Sequence, residues 1–230
     1  MRILVINPNT TASMTEKIGA AARQVAAAGT QIVARNPATG PASIQGPEDG
    51  EAALPGLFAE IDRSVGENFD AIIIACFDDT GLYPARQRAT VPVIGIGEAA
   101  FHAALLVAAR FSVVTTLSVS IPVIADNISL YGFDSRCVKV RASEVPVLEL
   151  ERPGSDARRT ISAEIAVALR DDKADAIVLG CAGMADLAYD LSREHGVPVI
   201  DGVAAAVKLA ELLHRLGLKT SQAGPFRMAG

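Results

Sequence analysis

The chain has 230 residues, half of them apolar and a fifth charged, with a net charge of −5. That composition fits a well-packed globular protein, of one domain or two small ones. The lack of any Lys or Arg run argues against nucleic acid or an anionic membrane as partner, and no apolar run is long enough to span a bilayer.

The chain opens on Met1-Arg2 and enters the apolar run Ile3-Leu4-Val5-Ile6 with no secretory h-region, so a cytoplasmic protein is expected. Asn7-Pro8-Asn9-Thr10-Thr11 follows. Residues 13–28 place Met14, Ile18, Ala21 or Ala22 and Val25 on one side of a helix, Ser13-Met14-Thr15-Glu16 has capping-box form, and Gly29 sits where that helix would end. A second apolar run covers Gln31–Arg35. Residues 37–55 hold much Gly and Pro and are expected to form a long loop. A third run, 70–76, ends in Cys76 and enters the turn Phe77-Asp78-Asp79-Thr80-Gly81; a fourth covers 91–95. Runs at 110–114, 137–141, 175–181 and 197–201 follow. Helical periodicity marks 155–170 and 202–216, and 219–230 shows little of any kind and is expected to be loose.

These runs form an internal repeat. Arg2-Ile3-Leu4-Val5-Ile6 resembles Arg110-Phe111-Ser112-Val113-Val114, and Gln31-Ile32-Val33-Ala34-Arg35 resembles Cys137-Val138-Lys139-Val140-Arg141. Asp70-Ala71-Ile72-Ile73-Ile74-Ala75-Cys76 matches Asp175-Ala176-Ile177-Val178-Leu179-Gly180-Cys181, and Val91-Pro92-Val93-Ile94-Gly95 matches Val197-Pro198-Val199-Ile200-Asp201. Four blocks recur in one order at a nearly constant offset, which reads as a duplicated domain. Each is an Ile- and Val-rich run without strict alternation, the pattern of a strand buried on both faces of a parallel sheet. The expected fold is α/β, with two pseudo-symmetric domains, each a parallel sheet flanked by helices, and a cleft between them. The first domain is expected to take 1–97 plus 202–230, and the second 98–201. Apolar helices suggest a homo-oligomer.

Cys76 and Cys181 occupy equivalent points of the repeat, each at the carboxyl end of a strand, where open parallel sheets bind ligands. A thiol at a strand-to-helix turn faces backbone N–H groups that are expected to lower its pKa. Two such thiols facing one cleft can remove a proton from one face of a carbon and return one to the other. Cys137 has no equivalent, since Gln31 stands in its place, and reads as structural. Asn9, Thr10, Thr115 and Thr116 stand at the ends of the two first strands and could bind a substrate carbonyl or a developing oxyanion. Asp78 and Asp79 read mainly as helix caps, with Asp78 assigned a reach into the pocket; Glu98 has the same two readings. His102, His195 and His214 have no ligand spacing, so no metal is expected. No dinucleotide or P-loop fingerprint is present, since Gly95-Ile96-Gly97 is too short for one.

The segments VINPNTTASMTEKIG, ACFDDTGL and LGCAGM resemble those of hydantoin racemases and the related allantoin racemases, within the aspartate/glutamate racemase superfamily. The resemblance runs through the closing GVPVIDGV block and so covers nearly the whole chain. It implies a cofactor-independent racemase in which Cys76 and Cys181 are the two acid/base residues. Asn9 and Thr116 then lie near a small hydantoin-like substrate, with Phe77, Asp78, Ala182 and Gly183 from the cysteine turns. Ala182 stands where glutamate and aspartate racemases usually have Thr, which sets the chain apart from them, and one departure from the resemblance is visible: Thr80 stands where many relatives have Pro. The alternatives are another reaction of the superfamily (amino-acid racemisation, decarboxylation or cis-trans isomerisation) or a two-lobed small-molecule binding protein.

Overall fold

The structure, a computed structural model, describes residues 1–227. Among these residues, eight strands form two parallel sheets. The first sheet contains β1 (Arg2–Ile6), β2 (Gln31–Arg35), β3 (Ala71–Ile74) and β4 (Val93–Gly95), ordered β2-β1-β3-β4. The second contains β5 (Phe111–Thr115), β6 (Cys137–Ala142), β7 (Ala176–Gly180) and β8 (Val199–Ile200), ordered β6-β5-β7-β8. The permutation is the same, so each repeated block takes the same place in its sheet. The inner strands β3, β5 and β7 are buried along their whole length and β1 along nearly all of it, which is why they carry no polar alternation.

Register brings the site residues together. Ile6 pairs with Arg35 and Ile74, and Ile74 with Gly95; Thr115 pairs with Ala142 and Gly180. The carboxyl ends of paired strands therefore finish level, and the residues just beyond them emerge side by side.

The helices are α1 (Ala12–Val25), α2 (Pro47–Ser64), α3 (Leu82–Arg88), α4 (Ile96–Val107), α5 (Ile121–Leu130), α6 (Ala157–Val167), α7 (Ala188–His195) and α8 (Gly202–Arg215). One apolar cluster joins both sheets through α1, α4 and α8, with Ile3, Ile73, Phe101, Phe111, Val178 and Val207 among its buried members. Helix α8 lies against α4 and α1. Its start is fixed by Asp201, whose carboxylate accepts the N–H groups of Val203 and Ala204 at 3.0 and 2.8 Å; such a cap contributes about 1 kcal/mol.

Three local expectations need correction. Residues 37–55 are not one long loop, because α2 begins at Pro47 and continues through Pro55. Proline at the first helical position is preset for a helix, and Glu48 and Asp49 suit the positive end of the dipole. Pro55 forfeits one internal hydrogen bond, against which stands the burial of Ala53, Leu57 and Ile61 on the same helix. The capping box at Ser13 does not form. Helix α1 starts one residue earlier, with Thr11 as its cap residue, and it stops at Val25 well before Gly29. The segment after 219 is anchored as far as residue 227: Phe226 packs on Tyr83 with ring centroids 5.4 Å apart, and Gln87 donates to the Pro225 carbonyl at 2.8 Å. Residues 228–230 lie outside the described residues. No helix among the described residues is long and apolar enough to cross a membrane.

Candidate active site

A small cavity lies between the carboxyl ends of the two sheets, and four strand-end loops line it. The loop after β1 supplies Asn7 and Asn9, and the turn after β3 supplies Cys76, Phe77 and Asp78. The loop after β5 supplies Thr116 and Ser120, and the turn after β7 supplies Cys181 and Ala182. Met14 from α1, Ile44 and Val147 add apolar wall. The two covering segments touch across the cleft, where the Val147 N–H donates to the Gln45 side chain at 3.1 Å.

The turn carrying Cys76 follows a strand of the first sheet but is fastened from the second half of the chain. Asn127 of α5 donates to the Asp78 carbonyl at 2.8 Å, Ser120 donates to the Asp78 carboxylate at 3.4 Å, and the Tyr131 hydroxyl donates to Asp79 Oδ2 at 3.0 Å. Asp79, at a φ of 48°, turns its carboxylate onto the start of α4, accepting the N–H groups of Gly97 and Glu98 at 3.0 and 2.7 Å. This needs glycine at two places. A Cβ on Gly95 would lie 2.1 Å from Asp79 Oδ1, and one on Gly97 would lie 2.5 Å from the Phe77 carbonyl oxygen. Asp79 is thus the cap of the pair, while Asp78 reaches the cavity. Glu98 pairs with Arg86 and does not line it.

Both thiols are harder to ionise than a free cysteine, contrary to the expectation from their turns. Burial is the main cause for each. For Cys76 the Asp78 carboxylate adds to it, and the Thr80 hydroxyl and a turn N–H oppose it. Cys181 is pushed up to about 11 by burial, with the Gly183 N–H opposing. The two sulfurs are near enough for charge on Cys181 to raise Cys76. Burial also lifts Asp78 and Asp79 to about 7 each, in both cases against hydrogen-bond donors. Removing the Asp78 charge is therefore expected to favour both thiolates, Cys76 more than Cys181. At about pH 8, where Asp78 is ionised, Asp78→Asn should speed iodoacetamide alkylation of Cys76 by up to roughly tenfold without substrate present. Site-resolved mass spectrometry reads this rate, and an unchanged Cys76 would remove Asp78 as the cause.

Two polar groups face the cavity with little else to bind. The Asn9 Nδ2 group meets only the Met14 sulfur, at 3.3 Å, and the Thr116 hydroxyl makes no hydrogen bond among the described residues. Asn9 is held by its other end: its Oδ1 accepts from Asn7 Nδ2 at 2.8 Å and from the Thr11 N–H at 2.9 Å. The other expected residues stand back from the cavity. Thr10 bonds the Pro41 carbonyl, Thr115 ties β5 to β7 through the Gly180 carbonyl, and Gly183 meets Cys181 through its backbone N–H. Sequence reasoning passed over Asn7, Ser120, Ile44 and Val147. Asn7 was visible as a strand-end amide, whereas Ile44 and Val147 sit in segments whose placement only the folded chain decides. Cys137 lies at the start of β6, packed at the edge of the main core. No group of three or more His, Cys, Asp or Glu among the described residues could hold a metal ion.

A family model described as Asp/Glu/Hydantoin racemase matches residues 3–210. A hydantoin racemase from Rhizobium meliloti is 49% identical over 226 residues, spanning 98% of this chain and 94% of its own. Among solved structures, allantoin racemase from Klebsiella pneumoniae superposes with a TM-score of 0.98 at 48% identity, covering 100% of this chain and 94% of its own. Allantoin racemase from Pseudomonas fluorescens gives 0.94 at 43%, covering 100% and 97%.

Proposed function

Since this chain belongs to the Asp/Glu/hydantoin racemase family and is a racemase, we propose that it inverts C5 of 5-substituted hydantoins, allantoin among them, by two-base catalysis through Cys76 and Cys181. The observation that carries this reading is the cavity lining. It brings both thiols together and, among the described residues, holds no Lys, Arg or His; Asp78 is its other titratable group. A free amino acid would present its carboxylate to Asp78 in a cavity whose lining holds no cation. A hydantoin is a neutral ring whose amide carbonyl beside C5 already stabilises the carbanion.

The steps balance on the two sulfurs. The thiolate of one cysteine takes the C5 proton, forming S–H, and the C–H electron pair delocalises onto the adjacent ring carbonyl as an enolate. The other cysteine's S–H then breaks as its proton is delivered to the opposite face of C5. The thiolate has moved from one cysteine to the other, so the enzyme is left ready for the opposite enantiomer. Asn9 Nδ2 and the Thr116 hydroxyl are donors for the enolate oxygen, and one such donor is worth about 3 kcal/mol in a transition state. A thiolate formed at so high a pKa is a strong base but a scarce one near neutral pH, so groups that favour the ionised form assist it.

The test is optically pure allantoin and a series of 5-alkyl and 5-aryl hydantoins, followed by polarimetry in D2O. Inversion is expected for hydantoins and not for aspartate or glutamate, with early product carrying deuterium at C5 while remaining substrate keeps its proton. Inversion of a free amino acid in preference to every hydantoin would overturn the substrate class. Early product that retains the original proton would overturn the two-base route.

A further inference from the structure

One hydrogen bond inside the cysteine turn has no part in the scheme above. Thr80 is buried, and its hydroxyl donates to Cys76 Sγ at 3.4 Å. Helix α2 passes on another side of Thr80 and offers no side chain there: a Cβ on Gly50 would lie 3.8 Å from Thr80 Oγ1. The sulfur is the acceptor of that hydroxyl among the described residues.

A sulfur anion accepts a hydrogen bond far better than a neutral thiol, so a donor fixed on it favours the ionised form. The titratable groups that face Cys76 are Asp78 on its own turn and Cys181 across the cavity, and a negative charge on either opposes ionisation. We propose, resting on the two-cysteine reading, that Thr80 is a catalytic residue whose hydroxyl stabilises the Cys76 thiolate whenever Cys76 is the base. Cys181 receives the matching help from the Gly183 N–H. Each thiol has a backbone donor, the Asp78 N–H at Cys76 and the Gly183 N–H at Cys181, and Cys76 adds a side-chain hydroxyl that substitution can remove.

Thr80→Val keeps the shape and deletes the hydroxyl, and Thr80→Ser restores it. In the intact chain, iodoacetamide alkylation of Cys76 below its thiol pKa is expected to slow about tenfold in Thr80→Val and to recover in Thr80→Ser. Cys181 in the same sample should react at its original rate, which reports that the fold is intact. An unchanged Cys76 rate, or equal slowing of both cysteines, overturns the proposal. A second arm reads catalysis through C5 proton exchange of a hydantoin in D2O. Adding Thr80→Val to Cys181→Ser, where exchange depends on Cys76, should slow it by a similar factor. Adding it to Cys76→Ser should not. Exchange absent from both single-cysteine enzymes sinks the two-cysteine reading and Thr80's role with it. Exchange present in both but indifferent to Thr80 sinks the role of Thr80 alone.

Discussion

Cys76→Ser and Cys181→Ser are each expected to lose racemisation by roughly a thousandfold or more, the contribution of a placed acid/base group. A serine hydroxyl has nearly the shape of a thiol, so the fold is unaffected, but it ionises too weakly to remove a carbon-bound proton or to accept one in the resting state. The loss is one-sided. Each variant keeps one thiol on one face of C5, and that thiol can still take a proton and return a deuteron to the same face. Solvent exchange should therefore persist for one enantiomer in Cys76→Ser and for the other in Cys181→Ser, without inversion. Polarimetry measures the inversion and NMR at C5 the exchange. Inversion at the parent rate by either variant would end the two-base assignment. Exchange of the same enantiomer by both would place the thiols on one face and end it equally.

Gly97→Ala is expected to destabilise the protein by about 2 kcal/mol, the net of two opposed effects. Gly97 lies in the first turn of α4, where alanine would otherwise gain up to ~1 kcal/mol in helix propensity. Against this, the new Cβ would stand 2.5 Å from the Phe77 carbonyl oxygen and 2.8 Å from Asp79 Oδ2. The first contact is backbone and cannot rotate away, and overpacking of this kind costs roughly 1–3 kcal/mol, sometimes more. For a chain of this size the net is a fall in Tm of roughly 4–8 °C, read by circular dichroism. Activity should fall as well, because the turn that must yield is the one carrying Cys76. A melting point within about 2 °C of the parent would show that the turn accommodates the methyl freely.

Much of this arrangement was legible in the residues. The four repeated blocks correspond to four strands in each sheet, in the same spatial order, because buried parallel strands leave a dense apolar signature that survives divergence of the helices. Cys76 and Cys181 were readable for the same reason, as fixed points at the ends of two such strands, and Asn9 and Thr116 lie in the cavity beside them. Failures came where context outweighs local chemistry. Pro47, Gly50 and Pro55 read as loop, yet Ala53, Leu57 and Ile61 bury one face of a helix there. Thr115 looks as available as Thr116, but alternation along the strand turns its hydroxyl into the ladder toward Gly180. The acidity of the thiols was misjudged because turn N–H groups are local and visible, whereas desolvation and the nearby Asp78 charge arise only from the folded cavity.

Helix α5 adds a constraint on motion. The turn carrying Cys76 belongs to the first sheet by chain connectivity and to the second half by hydrogen bonding, through Ser120, Asn127 and Tyr131. Swinging the two sheets apart like a clamshell would break all three bonds and draw one sulfur away from the other. The cover over the cleft is fastened too, by Gln45 with Val147, by Lys17 with the Leu150 carbonyl and Asp186, and by Thr10 and Thr11 with the Pro41 and Ala42 carbonyls. The spacing between the Cys76 and Cys181 sulfurs is thereby set by the fold itself, before anything binds.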